Sequence, residues 1–143
     1  MSDFRRLSDT MLASPQIAVA DVSTAQAMGV TLIVNNRPDE EEPGQLPGAA
    51  IEAAARAAGL DYLAISITRA GFSLPQVEAM ASALARAQGS VLGYCRSGTR
   101  STLLWALAET MRGEDPDALA RAAADAGYDL APVRAAMDAL AAR

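Results

Sequence analysis

Short apolar runs alternate with longer helical stretches along most of this chain, and this order limits its fold more than any other feature. The predicted strands are residues 3–7, 30–36, 61–67 and 91–94. The second strand reads VTLIVNN and is rich in β-branched residues, which is typical of a buried strand. Strands separated by helices predict the α/β class, with a mainly parallel central sheet of about four strands and helices on both faces.

The helices are predicted from their caps and their ending glycines. Ser73 and Gln76 match a capping box, and Pro75 fits the first turn of the helix that follows. The expected helices are residues 21–28, 49–59, 73–88, about 100–113, 115–126 and 129–143. No strand separates the last two helices, which predicts an extra helical layer at the C-terminal end. Since the 143 residues contain no long linker, we expect one domain over residues 1–143.

The composition excludes several classes of function. About half of the residues are apolar, so the chain can bury a core, and its net charge is −5. This charge argues against broad binding to nucleic acid or to anionic membranes. A single cysteine excludes an internal disulfide, and the first residues, MSDFRRLSDTMLASP, lack the apolar core of a signal peptide. We therefore expect a cytoplasmic protein and leave its oligomeric state open.

The absence of histidine removes a large part of known catalytic chemistry. It excludes Ser-His-Asp and Cys-His catalysis as well as histidine metal sites. One cysteine cannot form a thiolate zinc site, and no loop carries the oxygen ligands of a hard cation at regular spacing. We expect neither a metal nor a cofactor.

The segment VLGYCRSGTRS at residues 91–101 predicts the functional site. A strand stops at Cys95, small and basic residues follow, and a helix then begins. Ligands of parallel α/β sheets bind at the carboxyl ends of the strands, and a helix N-terminus favours negative charge. Small residues let the loop backbone curl so that several N–H groups point at one anion. The predicted anion-binding residues are Arg96, Ser97, Gly98 and Thr99.

The same electrostatic field predicts that Cys95 is reactive. Helix N-termini and nearby arginines stabilise a thiolate, which is a nucleophile. Arg100 can offer a bidentate fork to an oxyanion, which a lysine does poorly. The alternative is a buried structural cysteine, since free cysteine is often a small core residue.

Four stretches together resemble a known family. They are SPQIAVADV at 14–22, GVTLIVNNRPDEEE at 29–42, AAGLDYLAISI at 57–67 and VLGYCRSGTRS at 91–101. The cysteine loop resembles both the dual-specificity type of cysteine-dependent phosphatase and the rhodanese sulfurtransferases. All four stretches resemble the bacterial β-lactamase-hydrolase-like, phosphatase-like domain family. The resemblance covers roughly residues 3–112 and leaves about 115–143 as a helical extension.

This resemblance implies a dual-specificity-phosphatase-like fold and a set of roles. Cys95 would be the nucleophile and Arg100 would bind the substrate anion. Ser101, which follows the arginine as a Ser or Thr does in the phosphatases, would help the thiolate leave. We also predict a catalytic role for Asp39, in the RPDEEE loop after a strand. The alternative for Asp39 is a solvated acidic loop, since charge runs usually face water.

Two departures from the phosphatase pattern favour sulfur chemistry. Four residues lie between Cys95 and Arg100, whereas the phosphatase signature has five, and the shorter loop suits a single sulfane sulfur. Residues 64–73 hold no acid to serve as the usual proton donor, and Tyr94 stands where a histidine often precedes the cysteine. Losing a general acid typically costs about 10²–10⁴-fold in rate, whereas persulfide transfer needs no acid.

Three functions therefore remain in competition. The leading one is a cysteine-dependent phosphatase-like hydrolase, and the second is a rhodanese-type sulfurtransferase that carries a persulfide on Cys95. The third is a sensor that binds an anion or a persulfide without turnover. In each case the partner is a small anion, either a phosphate ester or a sulfane-sulfur donor. Arg69 either adds charge to this site or is an incidental surface residue, and we favour the second interpretation.

Overall fold

A five-stranded sheet forms the centre of the computed structural model, which describes residues 2–143. The strands are β1 (Arg5–Ser8), β2 (Met11–Ser14), β3 (Val30–Asn35), β4 (Asp61–Ala64) and β5 (Ser90–Tyr94). They lie in the order β1-β2-β5-β3-β4. Only β1 and β2 pair antiparallel, and the other neighbours are parallel. The predicted α/β class with a mainly parallel sheet is confirmed.

The strand β2 adds a fifth member that the hydrophobic pattern does not predict. It is four residues long, all of them are buried, and it pairs in parallel with β5. A short strand covered on both faces shows no alternation, so it lacks the usual signal. Conversely, the strand predicted over 61–67 ends at Ala64. The chain beyond it still follows the sheet edge, because Ile65 and Ile67 donate to the carbonyls of Asn35 and Asn36.

The helices alternate with the parallel strands as expected. They are α1 (Val19–Ala27), α2 (Gly48–Ala57), α3 (Leu74–Arg86), α4 (Thr99–Met111), α5 (Pro116–Asp125) and α6 (Arg134–Ala141). The capping box of Ser73 and Gln76 is present at the start of α3. The last helix begins later than predicted. Asp129 accepts from the N–H of Ala131 at 2.9 Å, and a 3-10 turn over Ala131–Val133 precedes α6.

The sheet separates two apolar layers. Leu12, Ile33 and Leu92 belong to the layer that includes buried residues of α1 and α2. Their strand neighbours face the other layer, which α3 to α6 complete. The helix α4 is buried almost all round because it contacts the sheet, α3, α5 and α6. Within residues 2–143 no helix has both the length and the apolar character that crossing a membrane requires.

The C-terminal helices are part of the second apolar layer. Leu119, Leu130 and Met137 are buried in the same cluster as the residues of the sheet and of α4. The C-terminal helices therefore share a core with the sheet, and the single domain over 1–143 stays a prediction. The boundaries at 3–112 and 115–143 stay a prediction.

Candidate active site

Cys95 directly follows β5 and lies in the middle of the sheet's carboxyl edge. β5 lies between β2 and β3, and all three strands are parallel. The N–H of Cys95 donates to the carbonyl of Ser14 at 3.3 Å, and that of Asn36 donates to the carbonyl of Tyr94 at 2.9 Å. Cys95 therefore lies where ligands of parallel α/β sheets bind.

The loop after Cys95 turns its backbone toward the sulfur. Gly98 is the N-cap of α4 and has a φ of 91°, which a glycine adopts without strain. Its N–H donates to Cys95 Sγ at 3.1 Å. Cys95 is 0% exposed, so its sulfur is buried. In the same loop, the hydroxyls of Ser97 and Thr99 bond to each other at 3.0 Å. The N–H donor and the positive end of α4 favour negative charge at the sulfur.

Tyr128, between α5 and α6, supports this loop from behind. Its hydroxyl donates to the carbonyl of Ser97 at 3.2 Å. Its ring fills the space beside Gly98, and a Cβ at that glycine would overlap the Tyr128 hydroxyl. The guanidinium of Arg5 lies 5.2 Å from the ring centroid, within the range of a cation–π contact. Burial raises the pKa of Tyr128, so the phenol is neutral and remains a donor.

Arg100 is held in place by two contacts. Its guanidinium donates to both carboxylate oxygens of Glu41, at 2.7 and 2.9 Å, in a bidentate pair. Nη1 also donates to the carbonyl of Ile67 at 2.7 Å. The hydrogen bonds with Glu41 foremost, and further the neighbouring Cys95, raise the pKa of Arg100 against the opposing effect of burial. Glu41 therefore fixes the orientation of the guanidinium that the sequence predicts to bind an oxyanion.

A second arginine, Arg37, holds two glutamates of its own acidic loop, and these glutamates contact Arg100 and Arg96. It is 3% exposed. Nε donates to Glu41 at 2.9 Å, Nη2 to Glu42 at 2.8 Å, and Nη1 to the side chain of Gln16 at 3.0 Å. Burial lowers the pKa of Arg37, but the hydrogen bonds to Glu42 and Glu41 outweigh it and leave a net raised pKa. Glu42 also lies 3.6 Å from the guanidinium of Arg96, so the two loops are connected at two points.

The sequence pointed to a different acid in this loop. Asp39 accepts from the N–H of Gly48 at 2.9 Å, which is a contact with the first turn of α2. Its catalytic role stays a prediction. Glu41, which contacts Arg100, was not singled out, although it stands four residues after an arginine that follows a buried strand. Oppositely charged side chains four residues apart can form an ion pair, so this spacing between Arg37 and Glu41 is the sequence signal for the role of Glu41.

Ser101 lies in the first turn of α4, next to Arg100 in the chain. Its hydroxyl donates to Asn36 Oδ1 at 2.7 Å, and Asn36 in turn donates to the carbonyl of Ile65 at 3.0 Å. All three partners are buried, so the hydroxyl has a defined direction.

The hydroxyl of Tyr94, the residue before Cys95, is also buried, and it has no hydrogen-bond partner among residues 2–143. Burial foremost raises the pKa of Tyr94 and keeps it neutral.

A pocket of about 380 Å³ opens beside the cysteine loop. It is lined by Glu41, Thr68, Arg69, Arg96 and Arg100. The arginine that the sequence suggested to be incidental, Arg69, is thus part of the pocket wall. Among residues 2–143 no three His, Cys, Asp or Glu side chains are arranged to hold a metal ion.

The ion pairs of Glu41 with Arg37 and Arg100 predict a stability effect that depends on pH. The hydrogen bond from Arg100 foremost, and further that from Arg37, lower the pKa of Glu41 from 4.5 to about 2. We expect Glu41→Gln to lower the free energy of unfolding by about 1–3 kcal/mol at neutral pH, because two arginines lose a charged partner. A lowered folded-state pKa stabilises the fold above the unfolded value of 4.5 and loses that effect as pH falls toward 2. The two proteins should therefore converge across that window in urea unfolding.

Glu52→Gln is the matched control for this prediction. Glu52 forms an exposed pair with Arg56 at 3.1 Å, four residues along α2, and such pairs contribute roughly 0.5 kcal/mol or less. If the Glu41→Gln protein is as stable as this control at neutral pH, the two ion pairs of Glu41 do not stabilise the fold.

The fold and the loop define this chain as a phosphatase-like α/β protein. A Neisseria meningitidis protein described as a candidate phosphatase matches with a TM-score of 0.83 and 30% identity, over 98% of this chain and 99% of that chain. PTPMT1, solved with PI(5)P, has a TM-score of 0.74 at 15% identity, over 98% and 97% of the two chains. TpbA from P. aeruginosa, solved with pTyr, has a TM-score of 0.61 at 20% identity, over 95% and 90%. The predicted dual-specificity-phosphatase-like fold is confirmed.

The chain belongs to the family described as Beta-lactamase hydrolase-like protein, phosphatase-like domain, whose sequence model matches residues 3–112. The Beta-lactamase hydrolase-like protein of Agrobacterium fabrum is 34% identical over 108 residues, which are 76% of this chain and 25% of that protein. The Xylella fastidiosa protein of the same name is 40% identical over 106 residues, 71% of this chain and 24% of that protein. The chain thus spans about a quarter of the length of these curated relatives. The predicted family is confirmed.

Proposed function

We propose that this chain is a cysteine-dependent phosphatase-like hydrolase that acts on a small phosphate ester. The observation that carries the proposal is the hydrogen bond from Gly98 N–H to Cys95 Sγ, at the positive end of α4 and next to Arg100. This arrangement favours a negatively charged sulfur and a bound oxyanion at one point. The family and the fold of the neighbours support the same class.

The proposed reaction has two steps. Cys95 Sγ attacks phosphorus, so that a sulfur–phosphorus bond forms while the ester bond breaks and the alcohol leaves with a proton. Water then attacks the phosphorus, inorganic phosphate leaves, and the sulfur is regenerated. Arg100 and the backbone N–H groups of residues 96–99 bind the phosphoryl oxygens in both steps.

Two further residues have proposed roles in proton handling. Ser101 turns its hydroxyl from Asn36 toward the sulfur and stabilises it as phosphate leaves. Asp39 is the acid of the loop that would protonate the leaving alcohol. An aryl phosphate depends least on such an acid, because a phenolate leaves readily, and it is therefore the substrate of choice for a first test.

Sulfur transfer is the second candidate, and the short loop between Cys95 and Arg100 favours it. Here Cys95 Sγ attacks the sulfane sulfur of thiosulfate, a sulfur–sulfur bond forms and sulfite leaves. Cyanide then takes the outer sulfur as thiocyanate and restores the thiolate. A sensor without turnover is the third candidate, and the full burial of Cys95 favours it. In every case we propose a small anionic ligand, bound beside the arginines that line the pocket, and a location in the cytoplasm.

A paired assay tests the proposal. Wild type and Cys95→Ser are each given an aryl phosphate, and separately thiosulfate with cyanide. We expect phosphate release by the wild type that falls by at least about 10³-fold in the variant, because the nucleophile is gone. Thermal unfolding of both proteins controls for loss of fold. Cys95-dependent thiocyanate without phosphate release would replace the hydrolase with the sulfurtransferase, and neither product would favour the sensor.

A further inference from the structure

One pocket is lined by three arginines, Arg96 and Arg100 from the cysteine loop and the first turn of α4, and Arg69 from a separate turn. They differ in how far ion pairs neutralise their charge. Arg100 is paired with both oxygens of Glu41. Arg96 lies 3.6 Å from Glu42, whose other oxygen is taken by Arg37. Arg69 forms no ion pair with any side chain of residues 2–143. The arginines that line the pocket therefore outnumber its carboxylates, and the pocket has a net positive charge.

The position of Arg69 is set by a tight turn. The N–H of Gly71 donates to the carbonyl of Thr68 at 3.1 Å, and the N–H of Ala70 donates to the hydroxyl of Thr68 at 3.1 Å. Gly71 closes this turn with a φ of 90°. Arg69 stands at the turn's second position, where its side chain lines the pocket.

The backbone next to this turn is bonded to the Arg100 side chain and to the end of β3. Ile67, just before the turn, accepts from Arg100 Nη1 at 2.7 Å. Its N–H donates to the carbonyl of Asn36 at 3.0 Å, at the end of β3. The backbone that carries Arg69 is thus fixed relative to Arg100. An exposed arginine on an anchored turn can bind a ligand without ordering its own loop first.

We propose that Arg69 and Arg96 form a second anion subsite, so that the preferred substrate is a small molecule with a second anionic group. The reacting group lies at Cys95, and the second group lies in the pocket of about 380 Å³ that opens beside the cysteine loop. Guanidinium groups bind phosphate or carboxylate oxygens through paired N–H donors. The inference rests on the proposed function only for the placement of the reacting group at Cys95.

Calorimetric titration of the full chain with inorganic phosphate and with pyrophosphate, at fixed ionic strength, tests the subsite. We expect wild type to bind pyrophosphate about tenfold or more tightly than phosphate. Arg69→Gln should reduce this ratio by at least about fivefold and change phosphate affinity by less than about twofold. Arg86→Gln is the control, because it removes the same charge from an exposed site at the end of α3, outside the pocket. It should leave the ratio unchanged.

The outcomes separate the subsite from the proposed function. If both anions bind but Arg69→Gln leaves the ratio unchanged, or Arg86→Gln lowers it equally, the subsite is wrong and the hydrolase proposal stands. If wild type binds neither anion, the proposed anion binding by the cysteine loop and the proposed subsite are both wrong. Circular dichroism of each variant confirms that the comparison is between folded proteins.

Discussion

Gly98→Ala is expected to lower the free energy of unfolding by about 2–5 kcal/mol. The φ of 91° costs a residue with a Cβ about 1–2 kcal/mol. The new Cβ also overlaps the hydroxyl of Tyr128 and lies 3.2 Å from the backbone carbon of Ser14, and such overpacking costs about 1–3 kcal/mol more. Because Gly98 N–H bonds to Cys95 Sγ, we expect catalysis to fall with stability. Urea unfolding and turnover of an aryl phosphate measure the two effects.

Gly113→Ala separates the two contributions. Gly113 has a φ of 104°, and a Cβ there has nothing within 4 Å. This variant should lose only the conformational part, about 1–2 kcal/mol, and keep its activity. If the two alanine variants lose equal stability, the contact between Tyr128 and the cysteine loop does not exist in solution.

Arg100→Lys is expected to lower kcat/KM for an aryl phosphate by about 10²–10³-fold. A lysine offers one compact ammonium group in place of the planar fork, so it cannot donate to both oxygens of Glu41 and also reach the carbonyl of Ile67. The clamp then loses its orientation, and one donor to the transition-state oxyanion is lost or displaced. Steady-state kinetics should show the loss in kcat as well as in KM, because the interaction strengthens in the transition state.

Arg56→Lys is the control for this substitution. Arg56 forms an exposed pair with Glu52 on α2, away from the pocket, and its replacement should leave kinetics unchanged. Unchanged kcat/KM in Arg100→Lys would mean that Arg100 only connects two loops and that backbone N–H groups alone bind the anion.

The position of Cys95 could be predicted because its signals are local. An apolar strand, a glycine in the loop and a helix lie within a few residues, and a parallel sheet brings such a loop to its carboxyl edge. The partner of Arg100 could not be predicted in this way. Glu41 is 59 residues away in sequence and stands in an acidic run that resembles a solvated loop. In the structure the buried Arg37 holds Glu41 and Glu42 of that run by hydrogen bonds, and a buried partner of this kind leaves no mark in the local sequence pattern.

The contact between the C-terminal segment and the cysteine loop could not be predicted from the sequence for a similar reason. The Ala-rich helices around Tyr128 predict helical packing and nothing more specific. The contact of Tyr128 with Gly98 and Ser97 depends on how α5 and α6 pack against α4, which hydrophobic periodicity does not determine. Tyr128 also lies beyond residues 3–112, where the family's sequence model matches.

In the proposed reaction Cys95 carries the phosphoryl group during turnover. The most direct measurement is the mass of the peptide that contains Cys95, after an aryl phosphate reaction is stopped with acid in its first turnover. We expect a gain of one phosphoryl group on that peptide, and no gain in Cys95→Ser. A gain of one sulfur atom after incubation with thiosulfate, with no phosphoryl adduct from the ester, would contradict the hydrolase and establish a persulfide carrier.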